Sequence, residues 1–312
     1  MGLTARRERR WFGPSCAVLG VLGFSFKAIL IKLAYAWHPI DAVTLLALRM
    51  IFAAPLFVVM AWWAARPGNA RRFTRADWKA IVLLGFIGYY LASLLDFVGL
   101  QYITAALERL VLFLYPTMVV LLSAVLEKKP VTRRTVAALA LSYVGIALVF
   151  MHDLRVAGDA GAVAKGGALV FASALLYAVY LVRAGDVIAR VGSMRFIAWA
   201  MLASTAFVLA QFLATRDIAA LDVPPPIYGL ALAMAVFSTV LPTWLIAESI
   251  RRIGADTSSQ IGSLGPIFTI GFGAVLLGEP VNAIQIAGAA LVLGGVLLVT
   301  AKPGAASPAP QA

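Results

Sequence analysis

Five charged side chains of this sequence stand in otherwise apolar surroundings: Lys27, Arg49, Asp96, Glu108 and Arg109. The densest case is "ALERLVLFLYP", residues 106–116, where Glu108 and Arg109 are neighbours among aliphatic and aromatic residues. A charge in such a place is costly, so it either finds a partner or performs a task. Two chemistries suit these residue types. A carboxylate beside an ammonium or guanidinium forms an ion pair that pins helices together, or it lines a solute path and exchanges a proton as its surroundings change. Neighbours on a helix point about 100° apart, so Glu108 and Arg109 face different partners. Glu108 is expected to meet Lys27 or Arg49. Three cations stand against two carboxylates, which leaves one cation for an anionic group.

The elements that carry these residues follow from composition. Of the 312 residues, 62% are hydrophobic and 13% charged, with a mean hydropathy of +0.93. Soluble domains carry about 45–50% apolar and about 25% charged residues, so the chain reads as an all-α integral membrane protein. The net charge of +12 sits in short clusters between apolar spans, the pattern of juxtamembrane loops and not of a nucleic-acid surface. A single cysteine, Cys16, excludes an internal disulfide and a multi-cysteine metal site. His38 and His152 fall near span ends, as interfacial residues do.

Ten apolar segments are long enough to span a bilayer at about 20 residues each. They run 13–34, 41–64, 80–100, 104–126, 133–151, 165–184, 195–214, 227–249, 254–277 and 282–301, with short tails at 1–12 and 302–312. The first segment exceeds a signal-peptide core and carries Lys27 and Lys32, so it is expected to stay as a helix. The tail "KPGAASPAPQA" has a disordered composition, and "MGLTAR" lacks the hydroxyl residue of a myristoylation signal. If both termini are cytoplasmic, 19 loop Lys and Arg fall on that side and three (Arg155, Lys165, Arg216) on the other, which obeys the positive-inside rule. The cytoplasmic set includes Arg66, Arg71, Lys128, Lys129, Arg251 and Arg252. Trp11, Trp37, Trp62, Trp63 and Trp78 stand at span ends as an aromatic belt. Counting from span ends at about 1.5 Å per residue puts the five charges in one layer, about 6–12 Å below the outer face.

"LYPTMVVLLSAVLEKKPV" (114–131) aligns without a gap on "LGPIFTIGFGAVLLGEPV" (264–281), at an offset of 150. Pro116 meets Pro266, Pro130 meets Pro280 and Gly145 meets Gly295. The chain therefore reads as two repeats of five helices, 13–151 and 165–301. Five is odd, so the second repeat is inverted, an arrangement of secondary transporters with a site at the repeat interface. Basic "EKKPVTRR" and its counterpart "GEPVNAIQ", which has no basic residue, lie on opposite sides under this reading.

"ALRMIFAAP" in the second span, and "RRIGADTSSQIGSLGPIFTIGFGAVLLGEPVNAIQIAGAALVLGGVLLV" in the last two, resemble the drug/metabolite transporter superfamily, and within it EamA-type permeases. The resemblance covers about 13–301 and implies ten helices and the export or uptake of a small metabolite. The first half departs from it: "LERLVLFLYP" has charges where the second half has "SSQIGSLGP".

Around the charged layer, Tyr89, Tyr90, Ser93, Tyr115, Trp244, Glu248, Ser258, Ser259, Gln260 and Ser263 are candidate cavity lining. The serine-rich stretch serves equally as interhelical hydrogen bonding. Pro116 and Pro266 each remove a backbone donor and free a carbonyl one turn earlier. The leading expectation is a secondary transporter in the inner membrane, an exporter of a small metabolite such as an amino acid, with protons as a candidate coupling ion. The alternatives are a sensor or scaffold that moves nothing, and a membrane-embedded enzyme. No GxxxxGK[ST], HExxH or GxSxG occurs and no histidine lies within a span, so no cofactor, metal or catalytic residue is expected. Substrate, direction and oligomeric state are not legible.

Overall fold

The computed structural model describes residues 2–65, 72–126, 132–157 and 159–300, with backbone alone for 2–10, 156, 157, 255, 256, 259, 260, 299 and 300. Arg66, Arg71, Lys128, Lys129, Pro130, Val131 and the tail from 301 lie outside the described residues, as do the side chains of Ser259 and Gln260. Within them the chain is all helical. Eight helices are long and apolar enough to cross a membrane: α1 (Trp11–Trp37), α2 (Ala42–Ala64), α3 (Arg75–Gly99), α4 (Ala105–Leu126), α5 (Arg133–Arg155), α6 (Ala160–Val191), α7 (Ser193–Thr215) and α8 (Pro225–Gly254). Two shorter apolar helices follow, α9 (Gly265–Leu277) and α10 (Ala283–Leu298).

Helices are the natural outcome, because a lipid-embedded backbone must satisfy its own N–H and C=O groups. Polar residues fix several ends. The Asp41 carboxylate accepts from Val43 N at 3.0 Å and starts α2. Thr74 and Asp77 form a capping box, with Asp77 N donating to Thr74 Oγ1 at 3.1 Å and Thr74 N to Asp77 Oδ2 at 3.0 Å. That box begins α3 five residues before the apolar run does. The long α6 likewise passes beyond 184, because Arg183, Asp186 and Arg190 end the apolar run without ending the helix.

Two spans are broken inside. Within α4 the segment Ala105–Leu112 stops and Tyr115–Leu126 begins, with Phe113 and Leu114 between them. The expected ninth span, 254–277, is not continuous either. Gly254 takes φ 81°, residues 255–262 are helical, and α9 starts after Ser263 and Leu264. Each break directly precedes the Tyr-Pro or Gly-Pro pair, where the proline has no N–H to offer the carbonyl of Leu112 or Gly262. Wider π-helical turns occur at Gly85–Leu91 in α3, Val236–Val240 in α8 and Gly273–Leu277 in α9.

Helix pairs approach through small residues, the usual device where lipid supplies no hydrophobic drive. α5 and α10 cross so closely that a Cβ on Gly145 would stand 2.5 Å from Gly288 O, and one on Gly295 would stand 2.5 Å from Ala138 O. The largest packed cluster joins α1, α2, α3, α7 and α8 around Ile29, Leu45, Phe57, Phe97 and Met234. Val59, Leu83, Val125 and Val275 face outward, and so do all five belt tryptophans.

Candidate functional site

The charged layer separates into three parts. α1 brings Lys27 to α3 and α4: its Nζ lies 2.6 Å from Asp96 Oδ2 and 3.5 Å from Glu108 Oε1. The first contact is a hydrogen bond; the second is an ion-pair distance without hydrogen-bond geometry, and both Glu108 oxygens lack hydrogen-bond partners. Asp96 and Glu108 are 1% exposed, so the two carboxylates share one cation in a dry place. Of the two cations expected for Glu108, the partner is Lys27. Arg49 instead lies over the Phe97 ring at 5.1 Å and is 5% exposed.

Arg109 points the other way, as the helical angle requires. Its Nη2 donates to Ser25 Oγ at a long 3.5 Å, and Ser25 Oγ donates to Gly265 O at 3.0 Å. Thr269 Oγ1 donates to Ser25 O at 3.2 Å, so α1 and α9 are tied at this point. Gly265 gives the Arg109 guanidinium its room: a Cβ there would stand too close to Nη2, and the arginine would have to shift. Tyr115 and Tyr177 stand within electrostatic reach of Arg109.

An aromatic wall continues from there. Tyr115 meets Tyr177 edge-on at 5.3 Å, Tyr177 stacks on Tyr180 at 5.5 Å, and the Tyr89 and Tyr180 hydroxyls are 2.8 Å apart. A Cβ on Gly88 would strike the Tyr180 ring, so this wall depends on that glycine. Tyr90 packs on Phe86 and Phe207, and Ser93 is half-buried on the same helix. Of the remaining candidates, Ser258 is buried and Ser263 half-buried beside the break. Trp244 and Glu248 do not join the cluster. Trp244 is exposed at the perimeter, and Glu248 binds Arg251 Nη2 at 2.6 Å and Arg252 Nε at 2.5 Å.

A second polar layer closes the end of the bundle where α1 finishes and α4 begins. Glu279 Oε1 accepts from Ala105 N at 2.9 Å, and Asp153 Oδ2 accepts from Thr104 Oγ1 at 2.7 Å. Lys32 Nζ donates to Ile103 O at 2.8 Å. Above it a cavity of about 450 Å³ is lined by Lys32, Tyr35, His38 and Gln101 among others. Burial pushes the Glu279 carboxyl above its ordinary range, against the opposing effect of the Ala105 N–H and the Lys32 charge. Sequence reasoning missed Ser25, Tyr177, Tyr180, Asp153 and Glu279 as site residues. The "LGEP" motif carried a signal for Glu279, and the equivalence with Tyr115 could have drawn attention to Gly265.

This geometry, a helical bundle with buried ion pairs and broken spans, agrees with the comparisons to known proteins. The EamA-like transporter family model matches residues 11–151 and 164–301, and the chain belongs to that family. It is 33% identical over 298 residues to the uncharacterized transporter YcbK of Bacillus subtilis (strain 168), covering 92% of this chain and 91% of that one. A second relative in the same organism, the uncharacterized transporter YyaM, is 24% identical over 72% of this chain and 73% of its own. A solved crystal structure superposes with a TM-score of 0.64 at 19% identity, covering 91% of this chain and 95% of that chain, a likeness of fold. The protein is a multi-pass membrane transporter.

Proposed function

We propose that the chain is a secondary transporter that exports a small metabolite, such as an amino acid, by alternating access between two inverted five-helix repeats, 13–151 and 165–301. In this reading ten helices span the inner membrane, and the tails 1–12 and 302–312 are cytoplasmic. The observation that carries it is the recurrence of backbone breaks at an offset of 150. Phe113–Leu114 corresponds to Ser263–Leu264, Thr104 (where α4 begins) to Gly254, and the π turn at Gly85–Leu91 overlaps that at Val236–Val240. The packing supports it too. α1 against 241–262 is answered by α6 against α3 and the start of α4, while α5–α10 and α2–α7 pair with their own equivalents. Such reciprocity is what a two-fold axis in the membrane plane produces.

The substrate path runs along Lys27, Asp96, Glu108 and Arg109, with Tyr89, Tyr90, Ser93, Tyr115, Ser258, Ser259, Gln260 and Ser263 beside it, and Pro116 and Pro266 at its hinges. Arg49, over the Phe97 ring, belongs to the same charged layer. Glu108, buried and without a hydrogen-bond partner, is the group that exchanges protons.

The test has two arms. Cysteines introduced by Thr132→Cys and Asn282→Cys in a Cys16→Ser background should react with an impermeant thiol reagent from opposite sides of intact cells. Labelling of both from one side removes the inverted repeat. Glu108→Gln should leave folded yield near normal, because Lys27 keeps Asp96, and should abolish pH-dependent flux in proteoliposomes. Unchanged pH-dependent flux removes Glu108 from the mechanism.

A further inference from the structure

The charges of the central layer do not balance, and the geometry identifies which one is left over. Lys27 is neutralised by Asp96 and shared with Glu108. Arg49 is sealed at 5% exposure over Phe97, and its positive charge offsets the remaining negative one. With Glu108 in its ionised form, those four groups sum to zero. Arg109 is the fifth, and among the described residues no carboxylate lies within ion-pair distance of it. Among the described residues it donates to Ser25 at 3.5 Å, at the outer limit for a hydrogen bond, and its Nε has no partner although that atom is buried. A guanidinium offers five donors in a planar fork, and this one, half-buried with its Nε unmet, spends few of them inside the protein. Yet the fold makes room for this one: Gly265 gives up its side chain to it, and Ser25 and Thr269 fix that wall.

We propose that Arg109 anchors the substrate and that the substrate is a monoanion, its carboxylate held in the Arg109 fork between Gly265 and the Tyr115–Tyr177 wall. This deepens the transporter reading and rests on it. The fork suits two coplanar oxygens better than a spherical ion, since a carboxylate can accept two parallel N–H bonds. One net positive charge calls for one negative charge, so the neutral complex crosses the membrane interior without a stranded ion. The ring edges of Tyr115 and Tyr177 supply the apolar contact for the solute body.

The test uses the purified full-length chain in detergent, with benzoate as the carboxylate probe and benzamide as its neutral isostere. Benzoate should raise the melting temperature saturably and benzamide should not. Arg109→Gln should weaken benzoate binding by about tenfold or more, given the usual strength of hydrogen bonds to charged groups. Arg109→Lys, which keeps the charge but loses the fork, should fall between. Gly265→Ala keeps the arginine and pushes its guanidinium aside, so it too should weaken benzoate; this serves if Arg109→Gln fails to fold. Equal responses to benzoate and benzamide overturn the proposal, as do undiminished binding in Gly265→Ala or a wild-type chain that ignores benzoate. Flux in proteoliposomes separates the two readings. Transport of a solute that survives Arg109→Gln unchanged leaves a transporter without this anchor, whereas saturable benzoate binding with no flux of any solute leaves the anchor without transport.

Discussion

The fourth span and the segment from 255 through α9 are built on one plan and used in opposite ways. Both run about two turns, break for two residues and resume at a proline, Pro116 in one and Pro266 in the other. Before the break, Glu108 and Arg109 stand where the second half has Ser258 and Ser259. After it, the bulky Tyr115 stands where the second half has Gly265. The Arg109 guanidinium occupies the room that Gly265 leaves. The backbone plan is thus shared, while the side chains are complementary: one half presents charge and rings, and the other presents hydroxyls and empty space. Under the transport reading proposed above, binding chemistry belongs to the asymmetry, and the ability to exchange conformations to the shared plan.

The largest effect that would test this contrast comes from Asp96→Asn. Removing one partner of a buried pair typically costs about 3–5 kcal/mol. Lys27 would keep only the 3.5 Å contact to Glu108, so folded yield and the midpoint of denaturant unfolding should drop sharply. The second-half equivalent of Asp96 is Ile246, which packs on Gly20 of α1. Ser258→Ala, at the position equivalent to Glu108, should cost less than about 1 kcal/mol. Equal losses for Asp96→Asn and Ser258→Ala would abolish the distinction between a charged and a neutral half.

A smaller effect tests the shared plan. Gly145 and Gly295 are equivalents, and each lets α5 and α10 approach to within 2.5 Å of a hypothetical Cβ. Gly145→Ala and Gly295→Ala should each destabilise by about 1–3 kcal/mol, the usual range for overpacking. Matched shifts in unfolding midpoint are expected; a large loss at one glycine and none at the other would argue against the reciprocal crossing.

The smallest effect concerns the clamp on α4. A carboxyl whose folded value is raised, like that of Glu279, contributes stability in full below the ordinary glutamate value of about 4.3. That contribution is lost as pH rises through the raised value. Glu279→Gln keeps an oxygen to accept from Ala105 N–H but cannot titrate. The melting temperature of the variant should therefore lack the decline that the parent shows on going from acid toward neutral pH. Identical pH profiles would mean that Glu279 ionises as freely in the folded chain as in the unfolded one.

Much of this was legible from the sequence, for identifiable reasons. A run of apolar residues long enough to cross lipid is a property of neighbouring residues, so the existence of α1 to α8 followed from hydropathy, while polar ends carried α3, α6 and α8 five to seven residues past the expected bounds. Pro116 and Pro266 act on their own backbone, and both breaks sit beside them. The pairing of Glu108 with Lys27 was narrowed to two cations by depth alone. Tyr177 and Tyr180 were passed over because a tyrosine facing a site and one facing lipid headgroups look alike in one dimension. Ser25 is one hydroxyl in an apolar helix, and its role arises from α9, which lies 240 residues further along the chain. Trp244 and Glu248 stand apart for the opposite reason: the tryptophan, a residue type suited to lining a path, is exposed, and Arg251 and Arg252 satisfy the half-buried Glu248 carboxylate locally.

The breaks also change how α4 behaves as a mechanical part. An unbroken helix is a stiff rod, and it bends only by stretching its ladder of N–H···O=C bonds. At Phe113–Leu114 the ladder tightens to a three-residue bond, Leu114 N to Val111 O at 3.1 Å, and Pro116 then has no N–H to give, so the two pieces of α4 meet at a joint. One piece is bolted at Thr104 and Ala105 by Asp153 and Glu279, while the other, from Tyr115, rests against α6. A tilt of the second piece would therefore cost few of the backbone bonds of the first, a freedom that an unbroken rod lacks.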